Sequence, residues 1–285
     1  MNLLILLLPL YSFAGVIFGD DDRVERYDIV DPQIREISRS SVALIPKKNL
    51  LIQDDNVEIL RDSLQDVLGF CEDSNFSHQP QLANCSAALI GPDLVLTAAH
   101  CLNDKMNFGC KDYNVVFDYV EEADGSISLS PENIYNCKEV IHHDFDDRFS
   151  STFLDLAIIK LDRKVKDRKP LKMEFRSPSI GEELYLLGYP LGIAQKLADN
   201  GERTRRKDSP NSFSHNLDSF SVNSGSPVFS AKTNKIIGVH VRGTGGNFQN
   251  VGNCRDWNVG TDTDFSEAND LRSIRKIIKK LNLPQ

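Results

Sequence analysis

The chain has 285 residues, 26% of them charged and 40% apolar, which is the balance of a globular protein rather than a disordered or fibrous one. Its formal net charge of −8 argues against a nucleic-acid partner, because binding a phosphate backbone needs a concentrated basic face. Length alone admits one large domain or two smaller ones, so sequence pattern has to decide.

The first fourteen residues, Met-Asn-Leu-Leu-Ile-Leu-Leu-Leu-Pro-Leu-Tyr-Ser-Phe-Ala, form an apolar run too short to span a bilayer comfortably, with small residues at Ser12 and Ala14. They predict a secretory signal peptide cleaved after Ala14; the lack of a Lys or Arg ahead of the run leaves an uncleaved membrane anchor as the alternative. No later segment is apolar enough to span, so the expectation is a secreted or periplasmic protein with no membrane contact after cleavage. Residues 15–60 are charged and mixed. They are read as an N-terminal extension, a propeptide candidate, with a solvated acidic run at Asp20 to Asp22 and a short helix near Gln33 to Ser38.

From about residue 85 onward, short β-rich runs alternate with turn-forming stretches: 86–90, 94–98, 114–120, 139–142, 156–161, 183–188, 227–230 and 236–241. Many short strands without intervening helical periods predict an all-β protein of antiparallel barrels or sandwiches. Arg203, Arg205, Arg206 and Lys207 sit among Asn, Gly, Asp, Ser and Pro and predict an exposed, nick-prone loop. At the end of the chain Leu271, Ile274, Ile277, Ile278 and Leu281 recur at helical spacing after a polar start at Ser266 and Glu267. This predicts an amphipathic helix, closed by Lys279 and Lys280, with Pro284 just beyond it. Six cysteines, at 71, 85, 101, 110, 137 and 254, contain no Cys-x-x-Cys pair and allow up to three disulfides in an oxidising compartment.

Three segments carry chemistry. Leu94-Val-Leu-Thr-Ala-Ala-His100-Cys101 delivers a histidine onto a turn beside a cysteine, and Leu154-Asp155-Leu-Ala-Ile-Ile-Lys160-Leu161 opens an apolar strand with a carboxylate. Asn223-Ser224-Gly225-Ser226-Pro227-Val228-Phe229 sets a serine on a glycine turn ahead of another strand. A single histidine after a strand is more often structural; the three segments together, in the order His, Asp, Ser, resemble the trypsin and chymotrypsin-like serine peptidases. That order differs from the orders by which subtilisins and α/β-hydrolases build the same triad. Asn223 to Phe229, with Gly188-Tyr189-Pro190, is similar to the bacterial glutamyl endopeptidase branch of that class, and the resemblance covers roughly residues 83–282.

The resemblance implies two antiparallel six-stranded-type β-barrels and a C-terminal α-helix. Residues 61–165 would form the barrel carrying His100 and Asp155, and residues 166–285 the barrel carrying Ser224 and the helix. It further implies a monomeric serine endopeptidase that needs no cofactor, acts on protein or peptide substrates and forms an acyl-enzyme on Ser224, not Ser226. The backbone N–H groups of Val222 and Ser224 would form the oxyanion hole. Val222 departs from the family's glycine, and two readings stay open: either the loop accepts a β-branched residue there, or the hole is impaired and the chain is a catalytically weak or inactive homologue acting as a binding protein. Asn223 carries no charge, so activation by an ion pair with a new N-terminal amine is not expected.

For the disulfides, the resemblance implies Cys85–Cys101; Cys110 and Cys137 flank a stretch that reads as neighbouring strands, which leaves Cys71 and Cys254 by elimination. In the specificity pocket the resemblance places His240, which suits an acidic substrate side chain, Asp218, which suits a basic one, and Ser219, which serves either. Arg242 would add positive charge at the rim. His240 reads equally as a core histidine and Asp218 as a turn cap. His142, His143 and Asp144 have no Cys/His partner at ligand spacing and are read as a solvated loop, so no metal is expected.

Overall fold

The computed structural model describes residues 15–102, 109–145, 153–204 and 209–283. The expected signal segment, Arg205, Arg206, Lys207 and Pro284 lie outside the described residues.

Strand β1 (Val24–Glu25) precedes helix α1 (Pro32–Ser38), which starts where the sequence asks for it. The Asp31 carboxylate accepts the N–H groups of Gln33 and Ile34, and Pro32 fills a first-turn position that needs no donor. β2 (Ser41–Pro46) follows, then the hairpin of β3 (Leu50–Ile52) and β4 (Val57–Ile59), and the short helix α2 (Leu64–Leu68). The next strands are β5 (Cys85–Gly91), β6 (Leu94–Thr97), β7 (Tyr113–Val116), β8 (Ile134–Phe145) and β9 (Asp155–Leu161). Six of these close into an antiparallel barrel in the order β2-β5-β6-β9-β8-β7. The two-residue period of a strand sends Val42 and Leu44 into the main core with Leu89 and Val115, and Ala43 and Ile45 into a second cluster with Val116 and Tyr119.

The second half contains β10 (Glu183–Gly188), β11 (Lys196–Glu202), β12 (Ser212–His215), β13 (Pro227–Ser230) and β14 (Lys235–Gly243). The hairpin of β15 (Phe248–Val251) and β16 (Cys254–Trp257), then β17 (Ser266–Asp270) and helix α3 (Arg275–Lys280), complete the chain. The sheet order is β1-β11-β10-β13-β14-β17-β12, and a bridge from Arg203 to His215 returns β12 to the end of β11, so six strands close on themselves. The protein is therefore all-β, with a short C-terminal helix.

Three sequence expectations are corrected. Residues 15–60 are no appendage: β2 is a barrel strand and β1 pairs with β11. Glu25 on β1 forms an ion pair at 2.8 Å with Lys196, a fully buried amine that desolvation pushes down to about 8. The mixed composition of the segment hid the short run Ser41-Val-Ala-Leu-Ile45, which is buried throughout. At the other end, Ser266–Asp270 is a strand and the helix starts only at Arg275. All five residues are buried between β12 and β14, and ladder pairing on both sides overrides the local helical pattern, which survives in the burial of Leu271, Ile274 and Ile278. His142, His143 and Asp144 lie in β8 rather than in a loop; His142 Nε2 is 2.9 Å from Asp144 Oδ2 and His143 Nε2 is 3.1 Å from the Ala99 carbonyl.

The cysteines pair as Cys71–Cys254, Cys85–Cys101 and Cys110–Cys137. The second of these ties β5 to the turn that carries His100.

Candidate active site

After β6 the backbone makes one 3₁₀ turn, Ala99–Cys101, anchored by the Cys101 disulfide, and His100 is its central residue. The His100 backbone N–H donates to Asp155 Oδ1 at 2.8 Å, and its ring Nδ1 lies 2.6 Å from Asp155 Oδ2. Both carboxylate oxygens are thus engaged by one residue. Asp155 opens β9 at 1% exposure, beside the strand whose end feeds the histidine turn. An ionised carboxylate can only accept, so Nδ1 carries the proton of this bond.

Ser224 sits on the turn before β13. Gly225, at φ +89°, has no alternative there: a Cβ would come 2.0 Å from the Ser86 carbonyl and 2.3 Å from Thr97 Oγ1. The Ser224 turn is therefore pressed against β5 and the end of β6. The Ser86 N–H donates to the Ser224 carbonyl at 2.8 Å, and that carbonyl lies 3.7 Å from Cys101 Sγ. The Gly225 N–H donates to the His240 carbonyl at 2.8 Å, which fixes the turn to β14 as well.

Val222 adopts φ +77°, a left-handed conformation that a β-branched residue reaches only under strain. Its neighbours hold it there. The Ser221 carbonyl accepts the Leu191 N–H at 2.8 Å, Asn247 Oδ1 accepts the Ser221 N–H at 2.9 Å, and the Val222 carbonyl accepts Ser86 Oγ at 3.0 Å. Because a trans peptide points its N–H opposite to its carbonyl, the Val222 N–H faces away from Leu191. Among the described residues, neither the Val222 N–H nor the Ser224 N–H donates to a protein acceptor.

The two charged candidates for the pocket have different surroundings. Asp218 is buried, with Oδ1 accepting the Phe18 N–H at 2.7 Å and Oδ2 without a partner; burial pushes its carboxyl up to about 7. That carboxyl faces the N-terminal segment. Ser219 Oγ is 2.7 Å from Ser266 Oγ, and the Ser219 backbone bridges to Val16. His240 is buried against His215, its Nδ1 3.3 Å from His215 Nε2, while His215 Nδ1 accepts the Leu217 N–H at 3.3 Å. This chain assigns the tautomers: His215 carries its proton on Nε2 and donates to His240 Nδ1, so His240 carries its proton on Nε2. Burial first, and then the charge of His100, pushes His240 down to about 3, and burial holds His215 well below the usual histidine range. His215 was missed in the sequence, where it is a lone histidine in the run Ser212-Phe-Ser-His215. Arg242 adds no free charge at the rim: its Nη2 is 2.5 Å from Glu267 Oε2, and its guanidinium stacks 4.0 Å from the Phe153 ring centroid.

The ligand-type atoms of Cys85, His100 and Cys101 lie within 4.8 Å of one another, but both sulfurs are bonded to each other and offer no thiolate to a metal.

Two closed antiparallel barrels, with His100 and Asp155 on the first and Ser224 on the second, define a chymotrypsin-like fold. The profile of the trypsin-like peptidase domain matches residues 85–239, and the chain belongs to that family, the trypsin-like serine peptidases. Among solved structures, a Glu endopeptidase in complex with MPD superposes with a TM-score of 0.53 at 17% identity, covering 94% of this chain and 98% of its own. Neuropsin, a serine protease expressed in the limbic system of mouse brain, superposes with a TM-score of 0.54 at 14% identity, covering 86% of this chain and 95% of its own. At these identities the likeness is one of fold.

Proposed function

We propose that this chain is a secreted or periplasmic serine endopeptidase, acting as a monomer, that cleaves protein or peptide substrates through Ser224, His100 and Asp155. The observation that carries the reading is the double hydrogen bond from His100 to Asp155, at 2.8 and 2.6 Å, together with a Ser224 turn hydrogen-bonded to β5, the strand that the Cys85–Cys101 disulfide ties to the His100 turn. In this mechanism His100 Nε2 takes the proton of Ser224 Oγ as the oxygen attacks the scissile carbonyl carbon. Asp155 holds the imidazole in the required tautomer and balances its positive charge. The tetrahedral oxyanion accepts hydrogen bonds from the Val222 and Ser224 N–H groups. His100 then returns the proton to the leaving amine, and a water repeats the sequence to release the acyl group.

Val222 supports an active enzyme more than an impaired one. It already occupies the conformation a glycine would take, with Ser221 turned toward Leu191 and away from the hole. For specificity we propose an acidic residue on the amino side of the cleaved bond. The His215–His240 chain leaves a single neutral N–H donor at His240 Nε2, suited to a carboxylate, whereas Asp218 is engaged by Phe18. The test is a serine-directed fluorophosphonate probe on the mature protein, with Ser224→Ala as the control. Labelling of Ser224 is expected; labelling of Ser226, or none, overturns the assignment.

A further inference from the structure

Asp155 is held from behind by a side chain that the proposed triad does not include. Asn269 is the fourth of the five residues of β17, opposite Val239 of β14 on one side and Ser212 of β12 on the other, and it is fully buried. Its Oδ1 accepts the Asp155 backbone N–H at 2.7 Å. Its Nδ2 donates to the Phe153 carbonyl at 3.1 Å and to the Asn211 carbonyl at 3.3 Å. One amide therefore ties the segment entering β9 to β17 and to the residue before β12, with both of its N–H groups and its oxygen engaged.

These bonds cross from one barrel to the other. Asp155 and Phe153 belong to the side that presents His100; Asn269 belongs to the sheet that presents Ser224. The same sheet grips the nucleophile turn, since the Gly225 N–H donates to the His240 carbonyl and His240 lies opposite Ala268, the residue before Asn269. A short path thus runs from Ser224 through Gly225, His240 and Ala268 to Asn269 and Asp155. The Asp155 N–H is buried at the first residue of its strand, where an unanswered donor is costly, so the amide is its bond partner and not a filler of space.

We propose that Asn269 is the positioning residue of this site, setting the backbone of Asp155, and through it His100, relative to Ser224. The inference rests on the triad proposed above. Nothing in it requires Asn269 to touch substrate; its effect falls on geometry, where a displacement of about 1 Å at a reacting group costs on the order of a hundredfold in rate.

The test compares Asn269→Ala with Asn269→Asp in the full mature chain. The alanine removes the acceptor, while the near-isosteric aspartate keeps an oxygen facing the Asp155 N–H. Turnover of a peptide substrate is measured together with circular dichroism and the low-field proton resonance of the His100 Nδ1–H in its bond to Asp155. Expected for alanine is a fall in kcat of about 10- to 100-fold, with KM unchanged within about twofold. Its Nδ1–H resonance should broaden or vanish at temperatures where the fold persists. Aspartate keeps the acceptor for the Asp155 N–H but loses both amide donors, so it should restore kcat and the resonance in part, to above the alanine values. The proposal is overturned if alanine keeps both kcat and the resonance, or if both variants lose activity equally while the resonance stays sharp, which marks a purely structural residue. Should the wild-type protein neither turn over nor label at Ser224, the peptidase reading fails on its own, and the resonance in the two variants still decides whether Asn269 positions Asp155.

Discussion

Asp155 and Asp218 are both carboxylates buried to within 2% of full burial near the proposed site, and their surroundings divide them. Asp155 faces His100 with both oxygens, which receive the backbone N–H and the ring Nδ1. Asp218 receives one N–H, from Phe18, and its second oxygen has no partner. Burial alone penalises a negative charge; donors and a neighbouring cation offset that penalty. The number of donors a carboxylate meets therefore separates one that holds the His100 backbone and imidazole from one that is pushed up to about 7 and turned toward the N-terminal segment.

The sharpest way to break this comparison is to neutralise each carboxylate in turn. Asp155→Asn should lower kcat/KM by roughly 10⁴, because the amide favours the wrong imidazole tautomer. Asp218→Asn should leave it within about threefold. A large loss in the second variant, measured on the same peptide, would return Asp218 to the site.

Stability gives the next effect in size. An acid whose carboxyl is raised in the fold, here from 3.8 to about 7, keeps its proton in the native state while the unfolded chain has released it. Stability therefore falls as pH rises from about 4 to about 7, and the deficit is complete above that window. Asp218→Asn retains an acceptor for Phe18 and removes the deficit. Its unfolding free energy in urea should exceed that of the wild type by about 2–4 kcal/mol at pH 8, at about 1.4 kcal/mol per tenfold change in proton affinity, and the gap should close near pH 4.

A smaller effect concerns the histidine pair. His240→Val should lower cleavage after Glu by about 10- to 100-fold, the range expected when a carboxylate loses a buried donor, and should not raise cleavage after Arg. A panel of peptides differing only at that residue reads the result; preferential cleavage after Arg or Lys, abolished by Asp218→Asn, would reverse the assignment of the two groups. The smallest change is expected at Val222. With its φ at +77°, Val222→Gly should relieve strain of about 1–2 kcal/mol, seen as a higher thermal midpoint, while turnover changes by no more than a few-fold. A rise near a hundredfold would mean that the valine had held the oxyanion donor out of place.

What the amino-acid sequence determined by itself was the all-β class, the family, and the short segments around His100, Asp155 and Ser224, because alternation, turn residues and motif order are written locally. The same locality misled it elsewhere. Ser266–Asp270 continues a helical pattern, yet strands on both sides claim it, and the apolar run of β2 lies inside a segment whose average composition is charged. Only the tertiary structure decided which groups face one another. It set His215 behind His240, Phe18 on Asp218, Glu267 on Arg242 and Asn269 on Asp155, pairs separated by 25, 200, 25 and 114 residues. No local pattern encodes such partners. They arise where strands distant in sequence are brought into register, and there the burial of each polar group obliges it to find a donor or acceptor from whatever chain lies opposite.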